Sequence, residues 1–313
     1  MKVVGIEEVF RTHPLPGLDN FEIVSWDNTE VLETADIFIQ ANIAENKHKK
    51  LRHKYDYIRQ SGKPWIVAES AVFRKNMKQP PNPMAYHRYS WFSYFRDEGL
   101  YNNENRPSDR WDQIQRDQNI EIKDWRKDGD YVLVLLQRPG DSSLKNLLAK
   151  YGTYDNFLSS TIKEIRKHTN RPIRIRMHPL RKDRQQAIIE KLNLKNVIIS
   201  DNTQGAGLLE GGDGLQKDFD NAWCVVGFNS NALTESVCEG IPTFSLCPSS
   251  MAWDCSNINL TDIDNPKLYD RQQWLNNLGY CQWREDEIAQ GAPYYHLMEI
   301  YNQASSILKK DYK

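Results

Sequence analysis

Paired cysteines are missing from this chain. Cys224, Cys238, Cys247, Cys255 and Cys281 are odd in number, form no C-x-x-C and all lie in the second half. A disulfide framework and the usual zinc-ribbon spacing are thereby excluded, and the five read as reduced thiols in or near a core. Long apolar runs are also missing: none approaches the roughly eighteen residues of a membrane span. The opening "MKVVGIEEVF" lacks the apolar segment of a signal peptide, so a cytoplasmic protein is expected. There is no excess of charge either. Forty-one Lys and Arg stand against 42 Asp and Glu, a formal net charge of −1. No global field then draws the protein onto nucleic acid or an anionic membrane, and such binding would need a local patch. The histidines are scattered, and "DGD" at 128–130 and "DID" at 262–264 occupy turn-like stretches, so no metal ligand set is expected. "LEGGDG" at 209–214 follows no apolar strand and carries no Walker lysine, which makes it a loop and not a dinucleotide fingerprint.

What is present is an α/β alternation long enough for two domains. The 313 residues are 27% charged and 39% apolar, values of a globular protein with a sizeable core. "KVVGI", "EIVSW", "ADIFIQA" and "KPWIVAES" are short apolar strands in the first half, with a charged helix around 45–60. From Phe73 to Trp125 the alternation gives way to a long polar and aromatic segment, read as a functional surface. It resumes with "YVLVLLQ", "PIRIRMHP", "NVIIS" and "WCVVGFNSNALTESVCEGIPTFSL". The expected layout is a first domain over 1–125, a second over 126–284, and a helix over 285–313 that returns to the first.

Two stretches carry most of the chemistry. In "RPIRIRMHP", 171–179, strand alternation puts Arg174, Arg176 and His178 on one face, and Pro179 leaves His178 at the carboxyl edge. Either the strand has one wet face or it serves an anion. In "WCVVGFNSNALTESVCEG" a strand ends in Asn229, Ser230 and Asn231, which open a helix stopped by Gly240. Free N–H groups, hydroxyl and amides there suit a phosphate, against the alternative of an ordinary N-cap. Gln137 and Arg138, in the loop after "YVLVLL", are candidate phosphate or sugar contacts or part of a plain Pro-Gly turn. Glu235 could accept from ribose hydroxyls or be an exposed helix acid.

A strand ending in His-Pro, followed about fifty residues later by a strand, a Ser/Asn loop, a helix with a Glu and a Gly-x-Pro stop, resembles the nucleotide-binding half of GT-B-type glycosyltransferases. The sialyltransferase-like and capsule-polysaccharide transferases of bacteria are similar, and non-hydrolysing sugar-nucleotide epimerases share much of the pattern. The resemblance spans about 130–246. It implies two Rossmann-like domains facing across a cleft and a nucleotide-sugar donor with a pyrimidine nucleotide such as a UDP-sugar. It further implies phosphates held by His178 and Ser230 with Asn229 or Asn231, and catalysis without a metal. The family usually has two adjacent hydroxyl residues where this chain has Ser230 followed by Asn231. On this reading Arg176 and His178 face the departing phosphate, whereas Arg174, farther from the edge, has an acidic neighbour as its alternative partner.

Glycosyl transfer also needs a base for the acceptor's proton. Glu69, at the carboxyl edge of "PWIVAES", is the first candidate, with Asp97 and Glu98 as competitors. Lys49, Lys50 and Arg52 in a basic stretch, and Arg74, Arg88 and Trp91 among aromatics, suit phosphates and stacked bases; a solvated helix face beside a sugar-stacking surface explains the same residues. "RPSDRWDQI", "GDYVLVLLQRPGDSSL" and "LGYCQWREDEIAQGAPYYHL" resemble glycosyltransferase-like proteins of tailed phages, some of which modify hydroxymethylated pyrimidines. The expectation is therefore a transferase acting on a hydroxymethylated pyrimidine in double-stranded DNA. A transferase for a surface or capsule glycan, and a non-catalytic nucleotide- or DNA-binding module, are the alternatives.

Overall fold

The computed structural model describes residues 1–24, 29–41, 56–73, 85–179, 182–201 and 214–311. The chain divides into two compact units, residues 1–117 with 272–313, and residues 118–271. The divisions at 117/118 and 271/272 fall earlier than the 125/126 and 284/285 boundaries drawn from the sequence. Much of the charged helix expected around 45–60 lies outside the described residues, as does "LEGGDG" up to residue 213.

The first unit holds a six-stranded sheet in the order β11-β5-β4-β3-β1-β2. Its strands are β1 (Val3–Ile6), β2 (Phe21–Val24), β3 (Ile37–Ala41), β4 (Trp65–Ser70), β5 (Tyr86–Trp91) and β11 (Gln282–Arg284). β2, β1, β3 and β4 run parallel; β5 turns antiparallel against β4, and β11 is antiparallel to β5. Val3, Val4 and Ile6 are buried, as expected of a parallel strand covered on both faces.

β5 corrects the reading of 73–125 as a polar surface. Every residue of "YHRYSW" is buried, and the helix Asp109–Gln118 follows, contributing buried Trp111 and Ile114. The polar letters hid the strand because its burial depends on partners far away in sequence. Trp91 Nε1 donates to the Leu297 carbonyl (2.6 Å) on the helix Ala292–Asp311, and its ring lies 4.9 Å from that of Tyr301.

The second unit holds a five-stranded, wholly parallel sheet in the order β10-β9-β6-β7-β8. Its strands are β6 (Tyr131–Leu135), β7 (Ile173–Arg176), β8 (Val197–Ile199), β9 (Ala222–Gly227) and β10 (Thr243–Ser245). In chain order this is the doubly wound pattern, reversing between β6 and β9, and ligands of such sheets gather outside the carboxyl ends at that reversal. Val132, Val134, Ile173, Ile175 and Val226 form the core with Leu158, Ile162 and Ile165 of the helix Tyr154–His168. Gly240 follows the helix Ala232–Cys238 at φ +71°, where a Cβ would lie 2.0 Å from the Asp124 carbonyl oxygen, so the expected glycine stop is enforced by both conformation and space.

Candidate functional site

Gln137 leaves the end of β6 and Asn229 the end of β9, so both stand at the sheet's reversal. Each satisfies the other: Gln137 Nε2 donates to Asn229 Oδ1 (2.7 Å), and the Asn229 backbone N–H donates to Gln137 Oε1 (3.0 Å). Asn229 Nδ2 donates to the Ser143 carbonyl and to Ser249 Oγ (both 2.8 Å). The Gln137 carbonyl accepts from Tyr154 Oη and from Gln185 Nε2 (both 2.8 Å), and Gln185 Oε1 accepts the His178 backbone N–H at 2.6 Å. Gln137 and Asn229 are thus committed to bracing the loops. Their side chains position neighbours, and a ligand would meet the groups they hold.

Those groups are His178, Arg138, Ser230 and Asn231, all half-buried. Burial lowers the His178 pKa, with the charges of Arg138 and Arg176 acting in the same direction and Asp141 opposing. The imidazole is therefore neutral near pH 7 and can donate one N–H to an oxygen. Ser230 Oγ accepts the Ala232 N–H (3.3 Å), leaving its own hydroxyl hydrogen to give, and Asn231 makes no side-chain capping bond. Glu235 is half-buried one turn along the same helix.

Arg176 is placed otherwise than the sequence suggested. The residue is 7% exposed, and its guanidinium bonds Asp218 Oδ2 and the Gly214 carbonyl (2.9 Å). Arg174 reaches the same carboxylate at 3.7 Å, and Ser200 Oγ donates to it at 2.6 Å. Asp218, on the helix Gly214–Phe219, is completely buried. The alternating arginines of "RPIRIRMHP" therefore share a buried counter-ion, and among the described residues Arg138 is a cation near His178 without one. No motif in the sequence singled out Asp218, Gln185, Tyr154, Ser143 or Ser249; they come from separate segments and meet only in the fold.

In the first unit Glu69 lies near the carboxyl end of β4, its Oε1 accepting the Ser70 N–H at 2.8 Å. Close by are two histidines that the sequence reading passed over. The His13 ring stands 4.9 Å from that of His87, and His87 Nε2 lies 3.1 Å from Glu285 Oε1. Burial lowers the His13 pKa against the opposing charge of Glu69, and burial with the His13 charge takes His87 down to about 3. Asp97 is exposed in a turn, and Glu98 accepts from Ser93 Oγ at 3.2 Å.

No family model matches the chain, and neither does any curated protein. Among solved structures it is similar to the KpsC beta Kdo 2,4 transferase of Thermosulfurimonas dismutans. The TM-score is 0.56 at 12% identity, over 90% of this chain and 90% of that one. The KpsC beta Kdo 2,7 transferase of the same organism gives 0.51 at 10% identity, over 94% of this chain and 99% of that one. The architecture is GT-B. Each unit supplies one of its Rossmann-like sheets, as the resemblance implied.

The DNA reading is corrected. The similar structures are Kdo transferases, which gives no support to phage DNA, a hydroxymethylated pyrimidine or a double-stranded DNA partner. The described residues chosen for DNA do not suit a duplex-binding face either. Arg88 is 3% exposed and Trp91 0%, so neither can reach a duplex phosphate or wedge a base step. Lys49, Lys50, Arg52 and Arg74 lie outside the described residues. Among the described residues no group of three or more His, Cys, Asp or Glu is placed to hold a metal ion, and no helix is long and apolar enough to cross a membrane.

Proposed function

We propose that the protein is a nucleotide-sugar-dependent glycosyltransferase acting on a capsule or other surface glycan, with a Kdo-type sugar among the candidates for transfer. The observation that carries this reading is the grouping of Arg138, His178, Ser230 and Asn231 at the reversal of the β6–β9 sheet, in a chain of GT-B architecture. A guanidinium with three neutral donors suits the phosphate of a departing nucleotide, whose negative charge grows as the glycosidic bond forms. Arg138 supplies the charge, and neutral His178 and Asn231 supply directed hydrogen bonds. Glu69 is the base in this reading: it takes the acceptor hydroxyl's proton as that oxygen bonds the anomeric carbon and the nucleotide leaves with the electron pair.

The test is incubation of the full chain with UDP- and CMP-activated sugars, CMP-Kdo included, and capsule oligosaccharides, followed by mass spectrometry of nucleotide and glycan products. Transfer is expected, with Glu69→Ala retaining nucleotide binding and losing most turnover. Nucleotide binding without release or transfer across the panel would favour a non-catalytic binding module and overturn the transferase reading.

A further inference from the structure

Phe92 follows β5 directly and has a left-handed backbone, at φ +65°. Among the described residues every other positive φ belongs to an asparagine or a glycine. Either of those would make the same turn with less strain, whereas a bulky aromatic there is an outlier that persists only where its surroundings impose it.

The surroundings do impose it. The Phe92 N–H donates to the Trp65 carbonyl and Trp65 Nε1 donates to the Phe92 carbonyl, both at 2.9 Å. Trp91 and Leu100 exchange N–H bonds of 3.0 and 3.2 Å and so close the loop 92–99. Beneath that loop Gly99 leaves no spare room, since a Cβ there would lie 2.3 Å from the Ser93 carbonyl oxygen. The result is display and not burial: Phe92 stays 36% exposed, its ring edge-on to that of Trp65 (5.1 Å, 85°) and 6.5 Å from that of Tyr301. Single apolar side chains at a surface are ordinary. This one is held outward against its own backbone preference.

The neighbours decide what such a ring could meet. Asp97 and Glu98 are exposed in the same loop, and Ser93 Oγ donates to Glu98 Oε2 at 3.2 Å. A protein partner or a membrane surface needs a contiguous apolar patch, which one outward ring beside two carboxylates does not provide. A sugar residue needs less: its C–H face covers an aromatic ring while its hydroxyls donate to carboxylate oxygens. With Arg96 set against Asp97 and Glu98 the loop is net negative, which favours a neutral sugar over an acidic one.

We infer that Phe92 and Trp65, with Asp97 and Glu98, form a second glycan-binding site that takes neutral sugar residues at the edge of the first sheet opposite Glu69. Trp65 begins β4 and Glu69 lies near its end, roughly 13 Å further along the strand. The site would therefore hold the body of a chain whose end is elsewhere. It rests on the transferase reading for the origin of that chain, though not for the binding itself.

The experiment is calorimetry on the full chain, without nucleotide, using cello-, malto- and manno-oligosaccharides as probes. Wild type is expected to bind at least one of them. Phe92→Gly, which accepts the positive φ and removes the ring, should weaken that binding about tenfold or more, and Phe92→Tyr should keep it within about threefold. Should Phe92→Gly fail to fold, Asp97→Ala and Glu98→Ala alter exposed side chains and are each expected to cut the affinity several-fold. Absence of binding by wild type across the probes, or undiminished affinity in a folded Phe92→Gly protein, overturns the site. Binding that depends on Phe92 in a protein that transfers sugar from no nucleotide donor would keep the site and defeat the transferase reading. Transfer by a protein whose Phe92→Gly variant binds the probes like wild type would do the reverse.

Discussion

Two buried arginines, one in each unit, sit on central strands and differ in a single respect. Arg176 on β7 is met by the fully buried Asp218, which also takes Ser200 and Arg174. Arg88 on β5 is met by no carboxylate among the described residues. Arg110, also buried and in the same unit as Arg88, is answered by Glu287 at 2.8 and 3.1 Å, so an unanswered arginine is not a general feature of that unit. The contrast is between a guanidinium bonded to a buried carboxylate and one that rests against the Tyr94 ring. The same contrast holds for the amides: Gln137 and Asn229 have their bonds made, whereas the Gln40 side chain has none among the described residues.

The largest expected effect comes from making Arg176 resemble Arg88. Asp218→Ala would strand a buried guanidinium and should cost about 3–5 kcal/mol of folding free energy, read from urea unfolding. A loss under about 1 kcal/mol would mean that the ion pair does not hold the second unit together.

Next in size is the donor edge. His178→Ala should weaken nucleotide binding by about 1.5–3 kcal/mol, the worth of a hydrogen bond to a charged group, while leaving the braced loops in place because Gln185 holds the His178 backbone and not its ring. Unchanged calorimetric affinity would remove His178 from the site.

The first unit should also be the acid-sensitive one. His87 is held down to about 3 and His296 to about 4 from 6.5, chiefly by burial, so between those values the unfolded chain binds protons that the folded chain refuses. Stability is then fully present above pH 6.5 and falls as the pH drops toward 4, by up to about 1.4 kcal/mol per pH unit for each histidine. Unfolding curves across that range should show the slope, and His87→Gln should reduce it; a slope untouched by that change would assign the acid sensitivity to other groups.

The smallest effect has the opposite sign. Gln40→Leu removes two unpartnered buried atoms and should raise the ligand-free protein's stability by about 1 kcal/mol, seen as a higher Tm. A lower Tm would show that the amide is already satisfied in solution.

The sequence by itself determined what depends on local periodicity and local backbone chemistry. The α/β alternation of the second half, the strand ends that place His178 and Asn229 at one edge, and the glycine stop at Gly240 could all be read from neighbouring residues, and they led to the GT-B architecture. Only the tertiary structure decided what depends on partners distant in the chain. Trp91 is buried because Leu297 and Tyr301 cover it, and "YHRYSW" is a strand because β4 and β11 flank it. Arg176 is structural because Asp218, 42 residues away, arrives beneath it. A guanidinium reads the same in sequence whether a carboxylate waits for it or not. Since burying a charge is costly only when the charge is unpaired, the pairing that distinguishes Arg176 from Arg88 had to come from the fold.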